Sequence, residues 1–316
     1  MNNHEKPLSF LEQVQAIPGG EHVSVCYSCG TCVSKCMIQQ KLEPEYNPRQ
    51  LLRMVMMGMR EEAFKSPTTW MCSECDLCYS SCPQEIHISG VISAVKQLAV
   101  EAGYTTPLEV VSVDEERCSG CGICVMTCPY EAPHLIEKEV DGVLDRFSEV
   151  NEELCMGCGM CVAACPMGAI SRPGVSNAEV AGQIEIKKQK GKPSLVVFIC
   201  DWCLRADEDI SILENYPKNV RVIHIPCSGR IDPQMALMAL NSNIDGVLVC
   251  GCKPGECHYK RGTYVSDCKI SLLDTMLGQM QLAEGRVRFV QIGTQDRGRI
   301  RHEMDEMLSR LQKEAV

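Results

Sequence analysis

Four times in this chain, four cysteines repeat one spacing, C-x2-C-x2-C-x3-C. The runs are Cys26, Cys29, Cys32 and Cys36; Cys72, Cys75, Cys78 and Cys82; Cys118, Cys121, Cys124 and Cys128; and Cys155, Cys158, Cys161 and Cys165. Three thiolates spaced this way on one short loop reach three corners of an iron–sulfur cube, and the fourth points to a partner cluster. For the third and fourth runs this gives two crossed sets, Cys118, Cys121, Cys124 with Cys165, and Cys155, Cys158, Cys161 with Cys128. Gly120, Gly122, Gly157 and Gly159 let the backbone close around the metal. Pro83, Pro129 and Pro166 follow three of the runs, and Met37 follows the first. Zinc sites show paired C-x2-C units rather than runs of four.

Composition supports ligation over cross-linking. The 316 residues include 23 cysteines, whereas disulfide-dense scaffolds are short and secreted. The N-terminus MNNHEKPLSFLEQ has neither the basic nor the apolar region of a signal peptide. No apolar run approaches the roughly 18 residues of a membrane span. The expectation is a cytoplasmic protein in which bound metal supplies much of the folding energy. A net charge of −10 argues against a nucleic-acid partner. The cluster Lys187, Lys188, Lys190 and Lys192 reads as a solvated tether.

The first module reads as helical. Asn47 and Pro48 open a helix, with Leu51, Leu52, Val55, Met56 and Met59 on one apolar face. The nearby Met54, Met56, Met57 and Met59 read as core, with a soft partner-binding face as the alternative. Val91, Ile92, Val95, Leu98, Ala99 and Ala102 form a second helical pattern, which Gly103 closes. CYSCGTC-x3-C, NPRQLLRMVMMGM and TTWMCSECDLCYSSCP resemble the C subunit of heterodisulfide reductase over residues 20–104. That resemblance implies a helical ferredoxin-like unit with two [4Fe-4S] clusters. One is held by Cys26, Cys29, Cys32 and Cys82, the other by Cys72, Cys75, Cys78 and Cys36.

Residues 105–117 read as an extended connector. The two central runs then resemble a two-cluster bacterial-type ferredoxin, with Gly142 between two strand-like pieces of a hairpin. Residues 174–193 read as a second linker. Beyond them, the Val- and Ile-rich runs 195–199, 220–225, 246–249 and 287–292 alternate with helical patterns around 204–215, 232–241, 267–282 and 297–313. That alternation predicts a parallel sheet, with a site beyond the carboxyl ends of its strands, where Cys200, Cys227, Cys250 and Cys252 fall. FICDWC-x2-AD, PCSGRIDP and GCKPGECHYKRG resemble the delta subunit of methyl-viologen-reducing hydrogenase over residues 195–312. The resemblance implies one [2Fe-2S] cluster held by four of Cys200, Cys203, Cys227, Cys252 and Cys257, without saying which stands aside. Cys250 and Cys268 read as small buried residues. Four thiolates suit zinc as well, so zinc stays open for this set.

The expected architecture is therefore multidomain. It comprises an α-helical ferredoxin-like module (1–104), an α+β two-cluster ferredoxin module (105–175) and an α/β parallel-sheet module (190–316). There is no dinucleotide fingerprint and no Walker A motif, and His134, His224, His258 and His302 stand apart from any acid–base constellation. The expected role is a non-catalytic electron-transfer subunit with four [4Fe-4S] clusters and one [2Fe-2S] cluster. Its setting would be a flavin-containing, heterodisulfide-reductase-like complex, including one that bifurcates electrons. The implied partners are heterodisulfide-reductase-like flavin and disulfide-reducing subunits, and a hydrogenase, formate dehydrogenase or NADH-dehydrogenase-like donor. The alternative is a self-contained reductase that acts on a small substrate at the C-terminal cluster.

Overall fold

A computed structural model describes residues 7–41, 45–140, 142–185, 191–203, 216–282, 284–293, 296 and 298–314. The chain divides into two compact units, residues 1–108 and 109–316.

The first unit is helical among its described residues. Asn47 accepts from the backbone N–H of Gln50 and Pro48 occupies the first turn, so the helix Pro48–Met56 starts where the cap chemistry places it. Its Leu51, Leu52 and Val55 join Phe10, Val14, Phe64, Trp70 and the helix Ile88–Glu101 in one core. The expected apolar face of the first helix is longer than the observed one. Met57 caps the helix and is 66% exposed, while Met54 packs on the core. Gly58, at φ +73°, turns the chain away before Met59. The methionine run is thus split between core and surface rather than buried as a set.

The second unit begins with a ferredoxin-like layer. Strand β1 (Ser112–Val113) pairs antiparallel with β4 (Ile170–Ser171), so part of the expected connector belongs to a sheet. Between them β2 (Pro133–Val140) and β3 (Val143–Val150) form the expected hairpin, in register from Pro133 opposite Val150 to Val140 opposite Val143.

The parallel sheet follows. Strands β5 (Leu195–Cys200), β6 (Val220–Ile225), β7 (Gly246–Cys252) and β8 (Val287–Ile292) lie in the order β6-β5-β7-β8. Every residue of β5 and β7 is buried, as central strands covered on both faces require. The helices Pro233–Asn241, Gly262–Gln279 and Arg299–Glu314 match three expected patterns; the pattern at 204–215 lies outside the described residues. Chain order reverses between β5 and β7, which opens a crevice at their carboxyl ends.

The second linker is the main departure. Ser176 and Glu179 form a capping box that starts the helix Asn177–Gln183. Val175, Val180 and Ile184 are buried in the same core as Val196 and Phe198 of β5. Apolar residues at the spacing of one helical face anchor this stretch against the sheet, despite its polar composition. Lys187, Lys188 and Lys190 lie outside the described residues.

Candidate metal centres

In the first unit, Cys26, Cys29, Cys32 and Cys82 line one small hollow together with Leu52 and Ile86. The backbone N–H of Ser28 donates to Cys26 Sγ at 3.4 Å, and Cys29 Sγ lies 3.3 Å from Thr31 Oγ1. The Thr31 hydrogen bonds hold the exposed Cys29 thiol below its usual pKa, whereas burial pushes Cys32 up to about 11. Cys36 belongs elsewhere: its charge is felt by Cys72, Cys75 and Cys78. Burial pushes Cys72 up to about 12 and raises Cys75 and Cys78. Tyr46, 1% exposed, shares hydrogen bonds with Cys36 and Cys72. Nothing in the sequence around Tyr46 signals this contact, because it joins positions far apart in the chain.

In the ferredoxin-like layer, Ser148 on β3 serves two cysteines. Its N–H donates to Cys118 Sγ at 3.4 Å, and its Oγ lies 3.2 Å from Cys124 Sγ. Cys121 is exposed. Cys165 accepts from the N–H of Ala169 at 3.3 Å and packs on the core cluster that contains Cys124. Cys128 keeps company with the other loop. Burial pushes Cys158 up to about 12, and the charges of Cys128 and Cys155 act in the same direction. Cys161 is likewise raised, by burial first and then by Cys158, Cys155 and Cys128.

The last centre lies at the carboxyl edge of the parallel sheet. The Sγ atoms of Cys200, Cys203 and Cys252 lie within 4.8 Å of one another. Cys200 ends β5, Cys252 ends β7, and Cys203 stands in the turn after β5, so the crevice between these strands gathers all three. Cys227, just beyond β6, completes a hydrogen-bonded group: Cys200 interacts with Cys203, Cys227 and Cys252. These bonds hold Cys200 low. Burial and Cys200 raise Cys203, and the Cys200 hydrogen bond with burial raises Cys227. Cys257 is half-buried and its charge acts on Cys227 and Cys252; an added Cβ on Gly262 would stand 2.1 Å from Cys227 Sγ and 3.7 Å from Cys257 Sγ. Cys250 is buried deeper in β7, where burial and Glu303 raise its thiol, and Cys268 is exposed. The reading of Cys268 as buried is therefore corrected: its place on the helix Gly262–Gln279 faces solvent.

Trp202, in the loop between Cys200 and Cys203, stacks on His258 with ring centroids 3.4 Å apart, and Tyr259 meets both edge-on. All three are buried, so this centre has an aromatic cover. Trp202 lies inside the motif FICDWC, but nothing in the sequence singled out its ring or its pairing with His258.

All five groups offer sulfur donors alone, and backbone N–H groups point at several of the sulfurs. This donor chemistry fits iron–sulfur clusters, whose thiolate ligands are deprotonated on binding and tuned by such hydrogen bonds.

Comparison with known proteins agrees. Residues 195–313 match the family described as methyl-viologen-reducing hydrogenase, delta subunit. Residues 22–86, 71–132 and 106–171 each match a 4Fe-4S dicluster domain. The iron-sulfur D subunit of an F420-non-reducing hydrogenase from Archaeoglobus profundus is 37% identical over 102 residues, 32% of this chain and 74% of that protein. The C subunit of an H(2):CoB-CoM heterodisulfide,ferredoxin reductase from Methanothermobacter marburgensis is 33% identical over 98 residues, 31% of this chain and 51% of its own length. The A subunit of a ferredoxin/F(420)H(2)-dependent CoB-CoM heterodisulfide reductase from Methanosarcina acetivorans is 32% identical over 141 residues, 43% of this chain but 18% of that protein. The chain is an iron–sulfur protein that joins several 4Fe-4S domains to a C-terminal parallel-sheet module, and through that module it belongs to the methyl-viologen-reducing hydrogenase delta subunit family.

Proposed function

We infer that this chain is an electron relay that links the redox chemistry of two different partners. The supporting observation is the contact between the fourth cysteine loop and the C-terminal centre. Met160 stands between Cys158 and Cys161, and it lies against Gly229, two residues after Cys227. Two sulfur-rich sites that share a packed boundary are suited to exchange electrons.

In this reading the chain carries four [4Fe-4S] clusters. Their ligands are Cys26, Cys29, Cys32 and Cys82; Cys36, Cys72, Cys75 and Cys78; Cys118, Cys121, Cys124 and Cys165; and Cys128, Cys155, Cys158 and Cys161. A [2Fe-2S] cluster is held by the four buried cysteines Cys200, Cys203, Cys227 and Cys252, and the half-buried Cys257 stands aside. The residues act by holding thiolates, donating N–H groups to sulfur and excluding water; the clusters supply the one-electron chemistry. Functionally the chain has a helical module to residue 104, a two-cluster ferredoxin module from 105 to 175 and an α/β module from 190.

The helical module would dock beside flavin and disulfide-reducing subunits, as its resemblance to the C subunit of heterodisulfide reductase implies. The C-terminal module would accept electrons from a hydrogenase, or from a formate dehydrogenase or NADH-dehydrogenase-like donor. The setting would be a cytoplasmic complex; among the described residues no helix is long and apolar enough to cross a membrane. Metal analysis of an anaerobic preparation tests the cluster assignment. About 18 iron atoms per chain are expected, from the cluster types assigned. Roughly eight irons or fewer, together with stoichiometric zinc, would overturn it, and turnover of a substrate by the chain alone would overturn the relay reading.

A further inference from the structure

The boundary between the fourth cysteine loop and the C-terminal centre holds two buried cations. Arg230 ends the short turn Ser228–Arg230, just after Cys227, and its side chain is 0% exposed. Its Nε and Nη2 donate to the carbonyl of Val175 at 2.8 and 2.6 Å, and Nη2 donates to Asn177 Oδ1 at 2.8 Å. Both acceptors are neutral, and Nη1 is buried with no hydrogen-bond partner. The stem of Arg230 lies on Gly159, where an added Cβ would stand 2.7 Å from Cδ. Gly159 sits between Cys158 and Cys161, at φ +79°, so the arginine is pressed against the loop that carries those thiolates. From the helix Gly262–Gln279, Lys269 brings a second buried amine with no hydrogen-bond partner. The carboxylate of Asp232 acts on both cations, yet its Oδ1 accepts from the N–H of Gln234 at 2.9 Å.

A buried guanidinium bonded to neutral acceptors carries a large desolvation cost unless an anion lies near it. Asp232 is one such anion and the thiolate loop on which the Arg230 stem lies supplies another, through Cys161; an iron–sulfur cluster bound there becomes more negative by one charge on reduction. We propose that Arg230 is a potential-setting residue of the electron junction: it is a counter-charge of the cluster held by Cys128, Cys155, Cys158 and Cys161, and it raises that cluster's reduction potential. This rests on the cluster assignment above. Arg230 acts on the ligated sulfurs through space and contributes no ligand. It also ties Val175 and Asn177 to the loop, which is a structural role, so the test reads a property that packing alone does not set.

The full chain is loaded and purified anaerobically, iron is counted, and each cluster's signal is followed by electron paramagnetic resonance during a redox titration. Arg230→Gln should lower the potential of one [4Fe-4S] cluster. Its reduced-to-oxidised ratio at fixed ambient potential should fall about tenfold, 59 mV for a one-electron couple, the order of magnitude of one buried charge acting through protein. Arg230→Lys should restore most of the shift. Asn177→Asp keeps the hydrogen bond but places a carboxylate against the guanidinium, and should lower the same potential; it decides the matter if Arg230→Gln does not load. Unchanged potentials in Arg230→Gln or Asn177→Asp at full iron content would overturn the proposal. Low iron in the unmutated chain would instead overturn the cluster assignment, so the two failures are distinguishable.

Discussion

At the scale of single residues, the sulfur positions follow from backbone placement and the fine differences between them from burial. Cys252 reaches the C-terminal group because it ends β7 at the crevice. Cys250, earlier on the same strand, is enclosed by the sheet and raised by burial and Glu303. The position that tolerates least here is not a cysteine. Gly262 lets the helix Gly262–Gln279 begin directly against Cys227, and a methyl group there would occupy the space of the sulfur. Since neither the helix start nor the strand end can yield cheaply, Gly262→Ala should cost about 1–3 kcal/mol. It should also remove about two irons per chain while leaving the [4Fe-4S] signals intact. Iron counting with spectroscopy checks this, and retention of all iron would show that Cys227 is not held at that point.

At the scale of elements, the parallel strands carry their cysteines to one edge because all four run the same way. The helix Asn177–Gln183 closes one face of that sheet. Ile184, 3% exposed at its end, packs into the core with Phe198 and Ile223. Ile184→Ala should therefore cost about 2–4 kcal/mol. Hydrogen exchange followed by mass spectrometry should show the amides of β5 opening faster in this variant. Unchanged protection would mean that residues 174–184 are a tether after all.

At the scale of the whole molecule, the chain has two compact units, divided between residues 108 and 109. The ferredoxin-like layer and the parallel sheet lie within the same unit, tied by Arg230 against Gly159, by Met160 against Gly229 and by Lys260, whose Nζ lies 4.9 Å from the Tyr130 ring centroid. Cutting at 108/109 should thus give two separately folding pieces, with about eight irons in the first and about ten in the second. A cut at 190 should expose Val180 and Ile184 together with the sheet face they cover, and yield aggregated protein. In pull-downs, residues 1–108 should retain the heterodisulfide-reductase-like partner and residues 109–316 the electron donor. Loss of both partners from one piece would overturn the division of labour.

The sequence alone determined the iron–sulfur character, since ligand spacing within a loop is a local property that no packing alters. It also determined most helices and strands, from the Asn47 cap to the apolar runs of β5 and β8, because caps and periodicity act over a few residues. The hairpin around Gly142 was legible for the same reason. What tertiary structure decided are the meetings that neither spacing nor resemblance named: Tyr46 with Cys36 and Cys72, and Trp202 with His258. Residues 174–184 were misread because their polar face dominates the composition, while three buried apolar side chains decide their place. Arg230 was invisible as a site for a similar reason. Its motif marks a turn after a cysteine, and only the packing of two modules buries it against another cysteine loop.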